Sequence, residues 1–337
     1  MATALSNLGI VAKIRGELNK AEDYHRQSLA INKELGHKEG IANQLGNLGI
    51  IAEIRGDLDQ AETYQQQAIA IAKELGHKET MASILGNLGV LAQIRGYLGK
   101  AEEYYRQSLT INEELGHKEN TARNLGNLGK IAQSRGDLDK AEKHYQQSLA
   151  IDEELAHKEG MAIQLGNLGL IAQTRGDLDQ AEAYQRQALA IAKELDRKEG
   201  MASGLSNLGN IATTRGNLDK AEEYYRQSLA IGEELGYKEN MAIQLGNLGL
   251  IAQVRGDLGK AEDYYQRALA IYEELVHKVG MASVFGKLGV IAEIAGDLAT
   301  SESYFRQALE LFQVVSAKPQ VEQARRSLQR VREKLGR

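Results

Sequence analysis

Apolar positions along the chain recur at spacings of three and four, which is the period of an amphipathic helix. The stripe is clear within residues 41–55, where its members are Leu45, Leu48, Gly49 and Ala52. A basic residue and a glycine, Arg55 and Gly56, follow it and predict the end of this first helix. We call it helix A.

A second helix, helix B, is predicted to begin at Asp57, a preferred N-cap, with Gln60 placed to complete a capping box. Its apolar stripe comprises Leu58, Ala61, Tyr64, Ala68, Ile71 and Leu75. Gly76 supplies the C-cap. The helices are predicted to cross at two small residues, Gly49 and Ala61, so that a methyl group at Gly49 would not fit. The unit is therefore a helical hairpin.

The hairpin recurs with a fixed period of 40 residues and no insertions. Its motif, Leu-Gly-Asn-Leu-Gly or a close variant, starts at Leu5, Leu45, Leu85, Leu125, Leu165, Leu205, Leu245 and Phe285. Repeats of about this length bury their apolar faces against their neighbours and form solenoids. We therefore predict an all-α, right-handed superhelical solenoid of eight helix-turn-helix repeats over residues 1–316.

Residues 317–337 break the period. Pro319 can start a helix whose apolar stripe is Val321, Ala324, Leu328, Val331 and Leu335. The rest of its surface is basic and carries Arg325, Arg326, Arg330, Arg332 and Lys334. Because solenoids need polar ends, we interpret it as a C-terminal capping helix; a docking site for an acidic partner is the alternative. No equivalent cap precedes the first repeat, so self-association through that end, or a longer parent chain, also stays open.

The face of helix A opposite its apolar stripe should be charged on a surface helix, and it is not. Its central position is Asn7, Asn47, Asn87, Asn127, Asn167, Asn207 and Asn247, then Lys287. A flanking position is mostly aliphatic and reads Ile10, Ile50, Val90, Lys130, Leu170, Asn210, Leu250 and Val290. The positions equivalent to Asn43 and Ile54 are also nearly free of charge, with Arg123 as the exception.

An asparagine amide both donates and accepts hydrogen bonds, so this row would hold a peptide main chain without selecting its sequence. The aliphatic neighbours would select apolar side chains. With A helices about 10 Å apart and an extended peptide advancing about 3.3 Å per residue, each repeat would cover about three ligand residues. The alternative is structural: each asparagine bonds to the backbone of a neighbouring repeat, and the aliphatic residues pack between successive A helices.

Three residues interrupt the apolar rows in the middle repeats. Arg123 and Lys130 lie seven residues apart on one face and would receive a carboxylate or phosphate of a ligand. Sequence drift explains them as well, and it also explains Asn210.

The pattern resembles a tetratricopeptide repeat. The positions that carry the resemblance are Leu48-Gly49, Ala52, Ala61 and Ala68. Three positions depart from the family: Leu45 replaces its usual Trp, Ala52 its helix-A Tyr and Gly76 its terminating Pro. The 40-residue length and the Leu-Gly-Asn triplet are similar to the subtype of the spindle-orientation adaptors, and more loosely to kinesin light chains and bacterial repeat proteins. The near-identity of the repeats points to recent duplication or a consensus-like design.

The resemblance implies an adaptor. In that family the concave surface, lined by the A helices, holds extended or helical peptides, and the matching asparagine faces the groove and contacts them. The resemblance therefore adds support to the seven asparagines as peptide-binding residues.

Composition narrows the remaining function classes. With no cysteine there is no disulfide framework, no Cys-based zinc site and no thiol nucleophile. A net charge of −5, with both signs mixed throughout, argues against a nucleic-acid partner. No apolar run is long enough to span a bilayer, so no membrane partner is expected and a cytoplasmic location is the default.

Recurrence also argues against chemistry at a single centre. The loop histidines His37, His77, His117, His157 and His277 lie one repeat apart, too far to converge on a metal ion. Arg-Gly-Asp at residues 55–57 spells an adhesion tripeptide, but its three residues are explained by a helix end, a C-cap and an N-cap. Catalytic groups form a unique convergent set, whereas nearly every polar residue here is one of eight copies.

We therefore predict no catalytic residue, no cofactor and no metal. The predicted function is an adaptor that binds a protein or peptide partner in the groove of its A helices. The alternatives are a structural or self-associating module and the sensor segment of a larger signalling protein.

Overall fold

The structure, a computed structural model, describes residues 1–336 and folds them into seventeen α-helices with no strand in that range. The A helices are α1 (Ala2–Ile14), α3 (Lys38–Ile54), α5 (Lys78–Ile94), α7 (Lys118–Ser134), α9 (Lys158–Arg175), α11 (Lys198–Thr214), α13 (Lys238–Val254) and α15 (Lys278–Ile294). The B helices are α2 (Leu18–Glu34), α4 (Leu58–Leu75), α6 (Leu98–Leu115), α8 (Leu138–Glu154), α10 (Leu178–Glu194), α12 (Leu218–Leu235), α14 (Leu258–Glu274) and α16 (Leu298–Val314). The last helix is α17 (Lys318–Lys334).

The helices form two compact units, one of Met1–Ile171 and one that starts at Ala172. In the first unit, α1 to α8 pack in order, each on the next, and α3 also contacts α5. In the second unit, α10 to α17 also pack in order, each on the next, ending with α17 on α16. Each unit is thus a stack of helical hairpins, and the predicted all-α helical solenoid is confirmed. Across the described chain, no helix has both the length and the apolar character of a membrane span.

The turn between helices A and B follows the predicted capping residues with one correction. Gly56 has a φ of +80°, and its N–H donates to Glu53 O at 2.9 Å. The next N–H, that of Asp57, donates to Ala52 O at 2.9 Å, which completes a Schellman motif. The Asp57 carboxylate accepts from Gln60 N at 3.1 Å, so the N-cap is confirmed. Because the Asp57 N–H is already bonded, the predicted reciprocal half of the capping box is wrong.

Most of the predicted stripe of helix B packs in the core, where Leu58, Tyr64 and Ile71 are half-buried against core clusters. Ala61 and Ala68 are buried as expected, but Leu75 is 43% exposed. The buried residues that the sequence pattern missed are Gln65, Ile69 and Ala72. Leu75 is the last residue of α4 and is exposed there, so this part of the predicted stripe is wrong. Gln65 was missed because a polar side chain does not mark a core position.

Position 65 and its equivalents explain the invariant glycine of helix A. A Cβ on Gly49 would lie 2.6 Å from Gln65 Nε2, and one on Gly89 would lie 2.5 Å from the Tyr105 ring. The prediction that no methyl group fits there is confirmed. The predicted partner was wrong, because Ala61 instead packs with Ala52 and with Leu91 of the next repeat.

The tyrosine of helix B also ties the two helices together by its hydroxyl. Tyr105 is fully buried, and its Oη donates to Gln93 Oε1 at 3.1 Å. The same bond is 3.0 Å between Tyr265 and Gln253. Burial raises the pKa of the Tyr105 and Tyr265 hydroxyls well above their ordinary value, so both remain donors. This contact fixes which face of helix A points away from helix B.

The C-terminal helix α17 begins with Pro319 in its first turn and buries Ala324, Leu328 and Val331. Leu328 and Val331 pack against Phe305 of α16. Four of the five predicted cations form ion pairs on the chain itself, and the first of them, Arg325, pairs with Glu322 of the same helix. Arg330 and Lys334 pair with Glu293, and Arg332 pairs with Glu302. The assignment of residues 317–337 as a cap separate from a 1–316 solenoid stays a prediction.

Candidate functional site

The face of helix A opposite helix B is partly open along its length. We call the helix-A positions equivalent to Asn43, Asn47, Ile50 and Ile54 the Asn face. In α3, Asn43 and Ile54 are exposed, and Asn47 and Ile50 are half-buried. The packed stripe of the same helix is closed: Leu48, next to Asn47, is 2% exposed. One helix therefore presents a close-packed side and an accessible side that carries no charge.

The predicted asparagines share one environment in most repeats. Six are half-buried, namely Asn47, Asn87, Asn127, Asn167, Asn207 and Asn247, and Asn7 is exposed. A half-buried amide keeps its polar end accessible while the packing around it restricts its rotamers. It is therefore a fixed donor and acceptor at the surface.

Most of these amides have no partner within the described chain. The side-chain amides of Asn47, Asn87, Asn127 and Asn247 form no hydrogen bond with another residue of 1–336. Asn207 Nδ2 donates to Gln185 Oε1 at 3.2 Å, and Asn167 Nδ2 donates to Gln164 Oε1 at 3.4 Å. Neither bond reaches the backbone of a neighbouring repeat, which is the contact that the structural alternative requires. Four amides thus keep their full hydrogen-bonding capacity for another molecule.

Aliphatic side chains flank the asparagines and are accessible. The position at the C-terminal end of each A helix is the most open, with Ile54 54%, Ile94 53% and Ile294 57% exposed. Ile50, Val90 and Leu170 are half-buried, and Leu250 is exposed. Isolated exposed aliphatic residues are ordinary, but recurrence at a fixed repeat position places these side chains in rows, which polar residues interrupt in the middle repeats.

The three interrupting residues have different surroundings. Asn210 Oδ1 accepts a hydrogen bond from Tyr225 Oη at 2.8 Å, so this residue has a structural role within its own hairpin. Arg123 and Lys130 are both exposed on α7. Arg123 Nη2 donates to Asn120 Oδ1 at 2.9 Å, which leaves the rest of its guanidinium facing solvent. Asn210 is therefore a weaker candidate for ligand contact than Arg123 and Lys130.

The loop histidines act on the helix that follows them. His77 Nδ1 accepts from Thr80 N at 3.4 Å, and His277 Nδ1 accepts from Gly280 N at 3.0 Å. Each imidazole thereby satisfies a free N–H in the first turn of helix A. His157 Nδ1 instead lies 2.9 Å from the buried Asp152. Within residues 1–336 no group of three histidine or acidic side chains lies close enough to hold a metal ion.

Two family models match the sequence. A tetratricopeptide repeat model matches residues 1–74 and 80–154, and a MalT-like TPR region model matches residues 120–277. Only residues 75–79 and 278–337 lie outside both matches. A search of curated proteins finds no match to the sequence.

Several solved structures share the fold. BtubC (BKLC) from P. vanneervenii is 24% identical with a TM-score of 0.58, over 65% of this chain and 92% of that one. A Rap protein complexed with competence and sporulation factor is 14% identical with a TM-score of 0.65, over 99% and 98% of the two chains. A signal transduction ATPase with numerous domains from Pyrococcus horikoshii, which has a tetratricopeptide repeat sensor, is 16% identical with a TM-score of 0.69, and the match covers 82% of this chain and 42% of that one.

Proposed function

The chain belongs to the tetratricopeptide-repeat family of protein-interaction scaffolds, and we propose that it holds a peptide segment of a partner protein along the Asn face. One observation carries the proposal. Four half-buried asparagines keep unpaired side-chain amides in the middle of an accessible helix face that carries no charge except at Arg123 and Lys130 of α7 and at Lys287 of α15. A peptide main chain has one donor and one acceptor per residue, which is what an asparagine amide satisfies.

The surrounding side chains favour an apolar peptide over a charged one. The strip beside the asparagines is aliphatic, and Ile54 and Ile94 remain exposed in the absence of a partner. Covering them would add burial worth roughly 25 cal/mol per Å² of apolar surface. At α7 the exposed Arg123 and Lys130 add a basic stretch, so a peptide with an acidic residue near its centre would fit best there.

A binding role is consistent with what is solved for the same fold. A Rap protein that shares this fold is complexed with competence and sporulation factor. The proposal gives the chain no catalytic role, because the repeated polar groups hold a main chain and do not converge on one reacting centre.

The test compares two triple variants that each remove three amides. The groove variant carries Asn47→Ala, Asn87→Ala and Asn127→Ala, which are the three unpaired asparagines of the first unit. The control carries Gln67→Ala, Gln107→Ala and Gln147→Ala, at exposed positions of the B helices. After circular dichroism shows equal helicity, each protein is used to capture partners from a lysate of the source organism, with identification by mass spectrometry.

The expected result is a partner retained by the unmodified chain and by the glutamine control, and lost from the groove variant. A synthetic peptide from that partner should then bind with an affinity at least about tenfold weaker for the groove variant, which corresponds to about 1.4 kcal/mol. Equal capture by both variants would remove the Asn face as the binding site.

Self-association is a second candidate, and the surface of α1 favours it. Leu8 is 48% exposed and Val11 44%, whereas the equivalent Leu48 and Ile51 are 2% and 1% exposed. Sedimentation equilibrium over a hundredfold concentration range tests this candidate. A mass that rises with concentration, and that stays monomeric in a Leu8→Glu, Val11→Glu variant, would support it, whereas a constant mass would reject it.

A further inference from the structure

The eighth repeat replaces the central asparagine with Lys287, and the surroundings of this lysine are unlike those of any exposed lysine. Its side chain is half-buried, and its Nζ lies 3.4 Å from Gly246 O. The same atom lies 5.4 Å from the centre of the Tyr265 ring, within the range of a cation–π contact. No carboxylate of the described residues pairs with it. Burial lowers the pKa of this ammonium, and no neighbouring charge offsets the effect.

Lys287 lies at the wall of a cavity of about 340 Å³ within the second unit. Helices α13, α15, α16 and α17 all contribute to its lining, so the cavity exists because α17 packs beside the last hairpin. Three residues of α17 that line it are polar: Gln320, Gln323 and Ser327. The apolar part of the lining includes Leu250 and Val290 of the Asn face. Its volume falls in the range of small-ligand sites.

The charge balance of this cavity is one-sided. Lys287 is the single charged residue among those that line it, and the polar residues are neutral amides and hydroxyls. An ammonium that loses hydration without gaining a counter-ion is destabilised. An anion that enters the cavity would restore a partner to the lysine, in surroundings where charges attract more strongly than in water. The amides and hydroxyls of α17 would donate further hydrogen bonds to it.

The chemistry of the lining points to a singly charged ligand. One compact cation matches one carboxylate, whereas a phosphate ester would bring a second charge with no second cation to meet it. The apolar wall matches a small aliphatic group next to that carboxylate. We propose that this cavity binds a carboxylate that carries an adjacent apolar group, with Lys287 as its counter-ion. The site does not depend on peptide binding along the Asn face.

A titration followed by methyl NMR tests the proposal on the full chain. The probes are N-acetyl-leucine and its uncharged counterpart N-acetyl-leucinamide, and the reporters are the methyl groups of Leu250 and Val290. We expect saturable shifts with N-acetyl-leucine and at least tenfold weaker binding of the amide. A third probe, the α-methylamide of N-acetyl-glutamate, carries its carboxylate on a side chain. Its affinity relative to N-acetyl-leucine distinguishes a chain terminus from an acidic side chain as the natural source.

The repeats supply the matched variants. Lys287→Asn restores the residue that seven other repeats have at this position and is expected to fold. Lys287→Met keeps the length of the side chain without its charge, and Lys143→Asn removes an exposed lysine that does not line the cavity. Both Lys287 variants should lose the preference for the acid over the amide, and Lys143→Asn should keep it. Three results would each overturn the proposal. They are equal affinity for the acid and the amide, a preference for the acid that persists without Lys287, and no saturable shift up to a 50-fold molar excess of N-acetyl-leucine.

Discussion

The third and the eighth repeats share one frame but differ wherever the eighth meets α17. In the third repeat Gly89 lies against the ring of Tyr105, and in the eighth Gly289 lies against Phe305. A Cβ would come within 2.5 Å of the first ring and 2.9 Å of the second. The close approach of glycine and ring is therefore common to both hairpins, with slightly more room in the last.

The tip of that ring is where the two repeats diverge. Tyr105 donates to Gln93, but Phe305 has no hydroxyl, and the residue equivalent to Gln93 is Glu293. Glu293 accepts from Arg330 at 2.9 and 2.7 Å and from Lys334 at 2.8 Å. Phenylalanine in place of tyrosine and glutamate in place of glutamine thus replace a hydrogen bond within the hairpin by ion pairs that hold α17. In these two repeats the packing of helix A against helix B depends on the glycine and the ring. The polar residues around the ring determine whether α17 can pack on the hairpin.

The largest effect is expected at the close contact itself. Gly89→Ala should destabilise the protein by about 2 kcal/mol, since overpacking outweighs the better helix propensity of alanine. Gly289→Ala should cost less because Phe305 leaves more space. Urea unfolding of each variant measures the difference.

Gly86 provides a control in the same helix. A Cβ there would meet nothing closer than Ser108 Oγ at 3.8 Å. Gly86→Ala should therefore stabilise the protein by up to about 1 kcal/mol through helix propensity alone. Destabilisation by Gly86→Ala as large as that by Gly89→Ala would contradict the role assigned to the tyrosine ring.

The anchor of α17 should give the next largest effect. Glu293→Gln restores the residue of the third repeat and should destabilise the protein by about 1.5 kcal/mol, because the bidentate pair between the half-buried Glu293 and Arg330 is lost. The Glu293 side chain is 10% exposed, so solvent screens this pair less than an ordinary surface pair. Thermal unfolding at neutral pH measures the loss, and Gln133→Glu, where Leu170 stands at the position of Arg330, is the reverse control.

The same pair has a defined pH dependence. Hydrogen bonds from Arg330 and Lys334 lower the pKa of Glu293 to about 2. Its contribution to stability is complete above the ordinary glutamate pKa of about 4.3 and is lost as pH falls towards the folded-state pKa. The stability difference between the unmodified chain and Glu293→Gln should therefore shrink between about pH 5 and pH 2. A difference that is constant over this window would show that the pair does not act through its charge.

The turns after helix B give a smaller effect. Gly116 ends the third repeat with a φ of +69°, and the eighth repeat has Ser316 at the same place with a φ of +55°. The left-handed conformation disfavours side chains, so Ser316→Gly should stabilise the protein by about 1 kcal/mol and Gly116→Ser should destabilise it by a similar amount. Melting temperatures of the two variants should move in opposite directions, and shifts of the same sign would count against conformational strain as the cause.

Much of this fold follows from the sequence because local rules repeat eight times. The period of 40 residues gives the hairpins, and Gly56 with Asp57 gives the turn, since both depend only on residues close in sequence. The buried position 65 was missed because one repeat was used as the type. Across all repeats this position is His25, Gln65, Tyr105, Tyr145, Gln185, Tyr225, Tyr265 and Phe305. Its aromatic majority would have identified it.

The candidate site, like the fold, is predicted by the sequence only in part. The uncharged Asn face is visible in the sequence because it needs only the helical period. Which asparagines stay unpaired depends on residues of a neighbouring repeat, such as Gln185 of the preceding repeat beside Asn207, and no local pattern specifies that contact. The cavity at Lys287 depends on where α17 packs, which its own stripe of apolar residues does not determine.

The smallest effect on stability should come from the Asn face, and it separates a binding role from a structural one. Asn87 is half-buried and has no hydrogen-bond partner in the described chain, so Asn87→Ala breaks no internal contact. It should change the free energy of unfolding by no more than about 0.5 kcal/mol, and the gain in helix propensity favours the alanine. Asn207→Ala, which breaks the bond to Gln185, is the matched comparison and should cost about 1 kcal/mol. If Asn87→Ala were as costly as Asn207→Ala, the asparagine row would be part of the frame that holds the repeats together. A near-neutral result would leave ligand binding as the role that this row is free to perform.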